Sequence, residues 1–250
     1  MRPVLFLTSC MAACCAAAPI FDSLYDFSED MAEFLGRVSR GISKVEDLFD
    51  SSLSCNPSSI ALPSFASGLP APTGQTPLYV AVGRGTQNYT CATSTKDSKP
   101  EANGAVARLY NATCIAANFP DLIELLPAIA YKVTLPSNEY DPLPPANLGL
   151  IGHHFFQGST PVFNLDTTPS SQLGLAISKK VAALDAPSNA IKGSNGAVAW
   201  LYLSAINGTV GAYKSVYRVD TAGGNSPETC EGMPSAFTVQ YAANYFFYES

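Results

Sequence analysis

The chain has 250 residues, a net charge of −6, a pI near 4.8 and only 14% charged residues, against about 25% in ordinary soluble domains. With no cluster of Lys and Arg it cannot neutralise a run of phosphates, which excludes nucleic-acid binding and disfavours anionic membranes. The length permits one large all-β domain or two small ones, and its 18 Gly and 19 Pro favour short strands and turns over long solvated helices.

Residues 1–18 have the order of a secretory signal. Arg2 precedes the apolar run Val4-Leu5-Phe6-Leu7, and small residues follow from Ala12 to Ala18. Pro19 opposes a cut after Ala18, so cleavage is expected after Ala16 or Ala17. No segment has the roughly 18 consecutive apolar residues of a membrane span. The expected product is soluble and extracellular. Cys10, Cys14 and Cys15 leave with the signal, and Cys55, Cys91, Cys114 and Cys230 remain. Four cysteines in an exported chain imply two disulfides, with three connectivities open. No Cys-x-x-Cys pair offers a zinc site, and no metal is expected. Asn88-Tyr89-Thr90, Asn111-Ala112-Thr113 and Asn207-Gly208-Thr209 are N-glycosylation triplets, which suit the same export route.

Within an N-terminal segment, 19–54, Leu24, Phe27, Met31, Phe34, Val38, Val45 and Leu48 recur at helical spacing, predicting an amphipathic helix over 23–50. Ser28 would cap it, and Glu29 and Asp30 would face its positive end. It either packs on the main domain, is removed as a pro-segment, or binds a partner. Residues 55–75 form a Pro- and Ser-rich linker or extended wrap that Cys55 could pin.

The β-rich domain spans 76–250. Leu78, Val80 and Val82 alternate with Tyr79 and Ala81. Gly83-Arg84-Gly85 reads as a turn, with further strands over 86–93 and 105–111. If those two pair around the loop 96–104, Cys91 falls opposite about Arg108, which argues against a Cys91–Cys114 bridge. Residues 118–132 read as helical turns broken by Pro127, and 136–145 as a loop. Strands resume over 149–156, 161–165, 173–184, 197–206, 213–219 and 237–248. In the last, Phe237, Val239, Tyr241, Ala243, Tyr245 and Phe247 share one face. About nine strands make a β-sandwich or barrel, all-β apart from the N-terminal helix.

Complete catalytic motifs are missing. Gly83-x-Gly85 lacks the third glycine and the following helix of a dinucleotide fingerprint, so no nicotinamide or other cofactor is expected. The two histidines, His153 and His154, are adjacent and must point to opposite faces of a strand. Glu228, Glu231, Asp166 and Asp220 give no carboxylate pair the sequence can place across a cleft. A hydrolase or isomerase would have to use His154 with a nearby acid.

Five segments together carry a resemblance: Val82 to Cys91, Gly152 to Phe156, Val198 to Leu203, Tyr217 to Gly224, and the Ala-Asn-Tyr-Phe-Phe-Tyr ending at Tyr248. In this order they resemble a family of secreted fungal and bacterial proteins catalogued as a domain of unknown function, often labelled malate dehydrogenase in fungal genomes. The similarity covers about residues 60–248. It implies an extracellular β-rich domain from a filamentous fungus, with His154, Arg218 and Gly223-Gly224 in family-like segments. His154, Arg218 and Asp220 are the candidate site residues. The expected function is non-enzymatic binding of an extracellular ligand, cell-wall carbohydrate or a host protein, as a host-directed (effector-like) virulence protein would.

Overall fold

A computed structural model describes residues 55–250. The signal sequence and the helix expected over 23–50 lie outside the described residues. The described chain folds into a closed barrel of eight antiparallel strands in sequence order, β1 (Thr76–Thr90), β2 (Glu101–Asn111), β3 (Leu150–Gln157), β4 (Thr160–Thr168), β5 (Ser171–Leu184), β6 (Trp200–Ala205), β7 (Tyr213–Gly223) and β8 (Ala236–Glu249). β8 pairs back onto β1 along its length, from Thr76 opposite Glu249 to Thr90 opposite Ala236. Closure leaves no strand edge unpaired.

The barrel, not the sandwich, is the architecture, and it has eight strands because Gly83-Arg84-Gly85 is not a turn. These residues lie in mid-strand, with Gly83 opposite Leu109 and Ala243, and Gly85 opposite Ala107 and Tyr241. The glycines serve close packing. A Cβ at Gly83 would sit 2.5 Å from the Tyr245 ring, and one at Gly85 would collide with the Val106 carbonyl of β2. The long strand also moves the register: Arg84 faces Arg108, while Cys91 lies just past the strand end.

Inside the barrel, small residues of one wall face rings of another. Ala81, Ala105, Ala107, Ala176 and Ala243 share the interior with Phe163, Tyr241, Tyr245 and Phe247, all nearly fully buried. Alternating sizes of this kind fill a small barrel.

A second apolar layer covers the outside of β1, β7 and β8. It is built by α1 (Thr113–Asn118), α2 (Pro120–Ile123), α3 (Leu126–Lys132) and residues 57–70. Pro127 falls in the first turn of α3, where it starts the helix instead of breaking it. Residues 55–75 wrap the barrel: Ile60, Ala66 and Leu69 are buried, Phe65 meets the Trp200 ring edge-on at 5.2 Å, and the Tyr217 hydroxyl donates to the Pro70 carbonyl at 2.6 Å. Two disulfides fasten these parts, Cys55–Cys114 between wrap and α1, and Cys91–Cys230 between the β1–β2 and β7–β8 loops. The outer layer explains why Tyr241 to Tyr248 are buried without a break. Odd positions fill the lumen, and even positions meet helix and wrap.

Candidate functional site at the polar end of the lumen

Arg218 on β7 lies opposite Leu201 and Tyr245, and so points into the barrel. Its Nε and Nη2 both donate to the Ala199 carbonyl, at 3.3 and 2.8 Å. Its charge bears on Tyr89, Tyr241, Tyr245 and His154 around it. No carboxylate reaches it. The ion pair of His153 with Glu139, at 3.1 Å, does not involve it. The half-buried guanidinium thus has the Ala199 carbonyl and the Tyr245 hydroxyl as partners and no counter-charge.

Alternation along β3 sends the adjacent histidines apart, as their spacing requires. His153 faces outward to Glu139. His154 lies opposite Ala107 and Phe163 and is 3% exposed. Its ring stacks on Phe163 at 4.2 Å, and Nδ1 meets the Val162 carbonyl at 2.9 Å, which fixes the proton on Nδ1. Burial is the main force on its pKa, lowering it to about 4; the Val162 bond opposes this and the Arg218 charge adds to it. His154 is thus a neutral imidazole whose Nε2 has no hydrogen bond among the described residues.

Two tyrosines complete the polar wall. The Tyr241 and Tyr245 hydroxyls meet at 2.9 Å, and both phenols are pushed up, chiefly by burial. Nearer the loops, Tyr89 donates to the Gly224 carbonyl at 2.7 Å and stacks on Phe237 at 5.5 Å. Gln87 is the inward residue after Gly83 and Gly85. It is 8% exposed, and its Nε2 has no partner. Gly224 joins this group: a Cβ there would lie 2.9 Å from Tyr241 Cβ and 3.2 Å from Gln87 Cγ. With φ values of +63° and +100°, Gly223 and Gly224 hold the left-handed turn that lets β7 leave the wall at this point.

Asp220 is not part of this cluster. Residues two apart on a strand share a face, but β7 bulges between Val219 and Ala222, and Asp220 adopts a φ of +51°. Its carboxylate accepts from Asn244 Nδ2 at 2.8 Å, and the same amide donates to the Ile123 carbonyl of α2. Asp220 therefore sits outside the wall, beneath the helices. Burial and the nearby Glu124 raise its pKa, to about 8. The structure brings His154 and Arg218 together and leaves Asp220 across the sheet.

The remaining sequence candidates are scattered. Glu228 and Glu231 are exposed in the β7–β8 loop, and Asp166 accepts from Gly174 N at 2.7 Å. No group of three His, Cys, Asp or Glu suited to a metal occurs among the described residues. Asn207 is exposed in the β6–β7 turn, Asn111 is exposed at the end of β2 with its Oδ1 accepting from Thr113, and Asn88 is half-buried in β1. Sequence reasoning passed over Gln87, Tyr89 and Tyr241. An amide following two inward glycines on a continuous strand was the available signal, hidden by reading the glycines as a turn.

Residues 72–249 match a family described as a protein of unknown function (DUF3455). The chain belongs to the DUF3455 family. The match takes in all eight strands, hence every residue of the lumen. Residues 9–70 match a second description, a protein of unknown function (DUF2990), which joins the DUF3455 barrel at the wrap. No curated protein and no solved structure matches the chain.

Proposed function

We propose that this DUF3455 chain is an exported, glycosylated binding protein that holds a small extracellular ligand at the polar end of its lumen. The observation that carries this is the composition of that end. Arg218, Gln87 Nε2 and the tyrosine hydroxyls supply hydrogen-bond donors, while no acid faces His154. Acid–base catalysis near neutral pH needs a group that exchanges a proton there. His154 is held neutral against the Val162 carbonyl, and the tyrosines keep their protons. Such a site can hold a ligand and has little to react with it.

Export is supported by the signal-like N-terminus, the two disulfides, which persist in oxidising compartments, and three glycosylation triplets. No helix among the described residues is long and apolar enough to cross a membrane. A host-directed role would then act through the captured ligand.

Native mass spectrometry of the secreted chain, mixed with a small-molecule extract of its own medium, should show a one-to-one adduct. Ala105→Phe, which puts a ring beside Gln87, should abolish it. Turnover of a chromogenic ester or glycoside that disappears in His154→Gln would instead establish the hydrolase reading.

A further inference from the structure

Resting on that reading, the geometry points to a ligand class: we propose that the lumen binds a small organic carboxylate, its anionic head on Arg218 and Gln87 and its body against the rings near the mouth. Two independent observations meet here. The half-buried Arg218 guanidinium is inside the barrel, bonded to the Ala199 carbonyl and the Tyr245 hydroxyl, with no carboxylate partner among the described residues. Gln87, 8% exposed, has an unpartnered Nε2 and meets Tyr241 around Gly224, and the Arg218 charge reaches both Tyr241 and Tyr89 there. A buried donor left unpaired costs stability, a half-buried guanidinium has no counter-charge, and one bound oxyanion answers both. Planar guanidinium and planar carboxylate also match in geometry.

The charge count selects the class. Arg218 is the cation whose field reaches this cluster, and His154 beside it is neutral. One positive charge balances a monoanion. A phosphate dianion would leave a net negative charge among buried phenols. The rest of the ligand would meet Phe156 and Phe237, both partly exposed, with Phe156 5.4 Å from the His154 ring and Phe237 stacked on Tyr89. An apolar or aromatic body of small size suits them. The Cys91–Cys230 bridge ties together the two loops that frame this end, so the opening is set before the ligand arrives.

The cluster supplies its own reporter. The Arg218 charge helps to keep His154 unprotonated, so an anion on Arg218 relieves that effect and makes the ring easier to protonate. The chain has two histidines, and the other, His153, faces outward. Two ring signals in an NMR titration therefore distinguish lumen from surface.

The experiment uses the secreted full chain and three probes sharing one ring: benzoate, benzyl alcohol and phenyl phosphate. By calorimetry benzoate should bind at least tenfold more tightly than benzyl alcohol. Arg218→Met should erase that difference, and Gln87→Met should weaken benzoate severalfold without changing the alcohol. Benzoate should raise the titration midpoint of His154 and leave His153 in place. Equal binding of benzoate and benzyl alcohol would overturn the carboxylate assignment while the lumen-binding reading stands. Tighter binding of phenyl phosphate would overturn it in favour of a phosphorylated ligand. Benzoate that shifts only His153, or no probe binding at all, would sink both. If Arg218→Met fails to fold, Gln87→Met and the His154 signal decide alone.

Discussion

The wall formed by β7, β8 and β1 has two faces, and their polar groups are treated differently. On the outer face the helices answer most of them, with Asn244 Oδ1 left open. Arg84 Nε donates to the Ala130 carbonyl at 2.9 Å with Tyr131 beside its guanidinium, and Asn244 Nδ2 reaches both Asp220 and the Ile123 carbonyl. On the inner face Arg218 finds the Ala199 carbonyl and the Tyr245 hydroxyl, and Gln87 Nε2 finds nothing. The arginines on the two strands that flank β8 thus differ in purpose. Arg84 bolts a helix to the barrel, whereas Arg218 faces the lumen. Buried polar groups are normally paired, so the open Gln87 amide, in a lumen that also holds a cation, is the feature to suspect of meeting a ligand.

The largest expected effect lies in what makes the inner face possible. Gly85→Val should prevent folding, because its side chain would occupy the place of the Val106 carbonyl and push β1 from β2. Absence of soluble variant on expression, or loss of cooperative melting, would show it; a normally melting Gly85→Val protein would refute the account of this wall.

His154→Ala should come next, costing about 3 kcal/mol or more through the cavity beside Phe163 and the orphaned Val162 carbonyl. Denaturant unfolding at pH 7.5 measures it. A change under about 0.5 kcal/mol, the usual scatter of surface substitutions, would mean that His154 is not the packed residue described.

The two faces should also differ in their response to pH. The pKa of His154 is depressed to about 4 in the fold, so its contribution is complete above the unfolded value near 6.5 and is lost as pH falls through 4. The pKa of Asp220 is raised to about 8, so its contribution is complete below the unfolded value near 3.8 and is lost as pH rises through 8. Between about pH 6.5 and 8 Asp220 acts without His154, and the protein should lose stability as pH rises. Asp220→Asn should flatten that slope, as melting temperatures across the window would show. An unchanged slope would remove Asp220 from its buried position.

The smallest effect concerns the surface. Asn207→Gln should remove one glycan from the secreted protein, read as a gel shift, and move the melting temperature by no more than a degree or two. Asn207 is exposed and its side chain bonds only to the adjacent Gly208 N. An unshifted band would show that this triplet is not used.

Much of the barrel was legible before any coordinates. Alternation placed the strands over 149–156, 173–184 and 237–248 within a few residues, because a period of two is a local consequence of one face being buried. The same rule separated His153 from His154. It failed at Gly83-Arg84-Gly85, since glycine permits a turn and also permits a ring or a carbonyl to press close, and only the partner strand decides between them. Pro127 was ambiguous for a similar reason, as proline both ends and begins helices. For Asp220 alternation itself was misleading, because one bulge after Val219 turned the carboxylate out of the barrel.

The sequence by itself determined most of the strand segments, the four cysteines that pair, and the family, because each is written in local pattern or residue identity. Tertiary structure alone decided that β8 closes onto β1, that Cys55 joins Cys114 and Cys91 joins Cys230, and that Arg218 and Gln87 share one end of the lumen without a carboxylate. Those facts depend on contacts between residues far apart in the chain. Gln87 and Arg218 face one lumen only when the barrel closes, and whether a charge there is balanced is set only once every neighbour is in place.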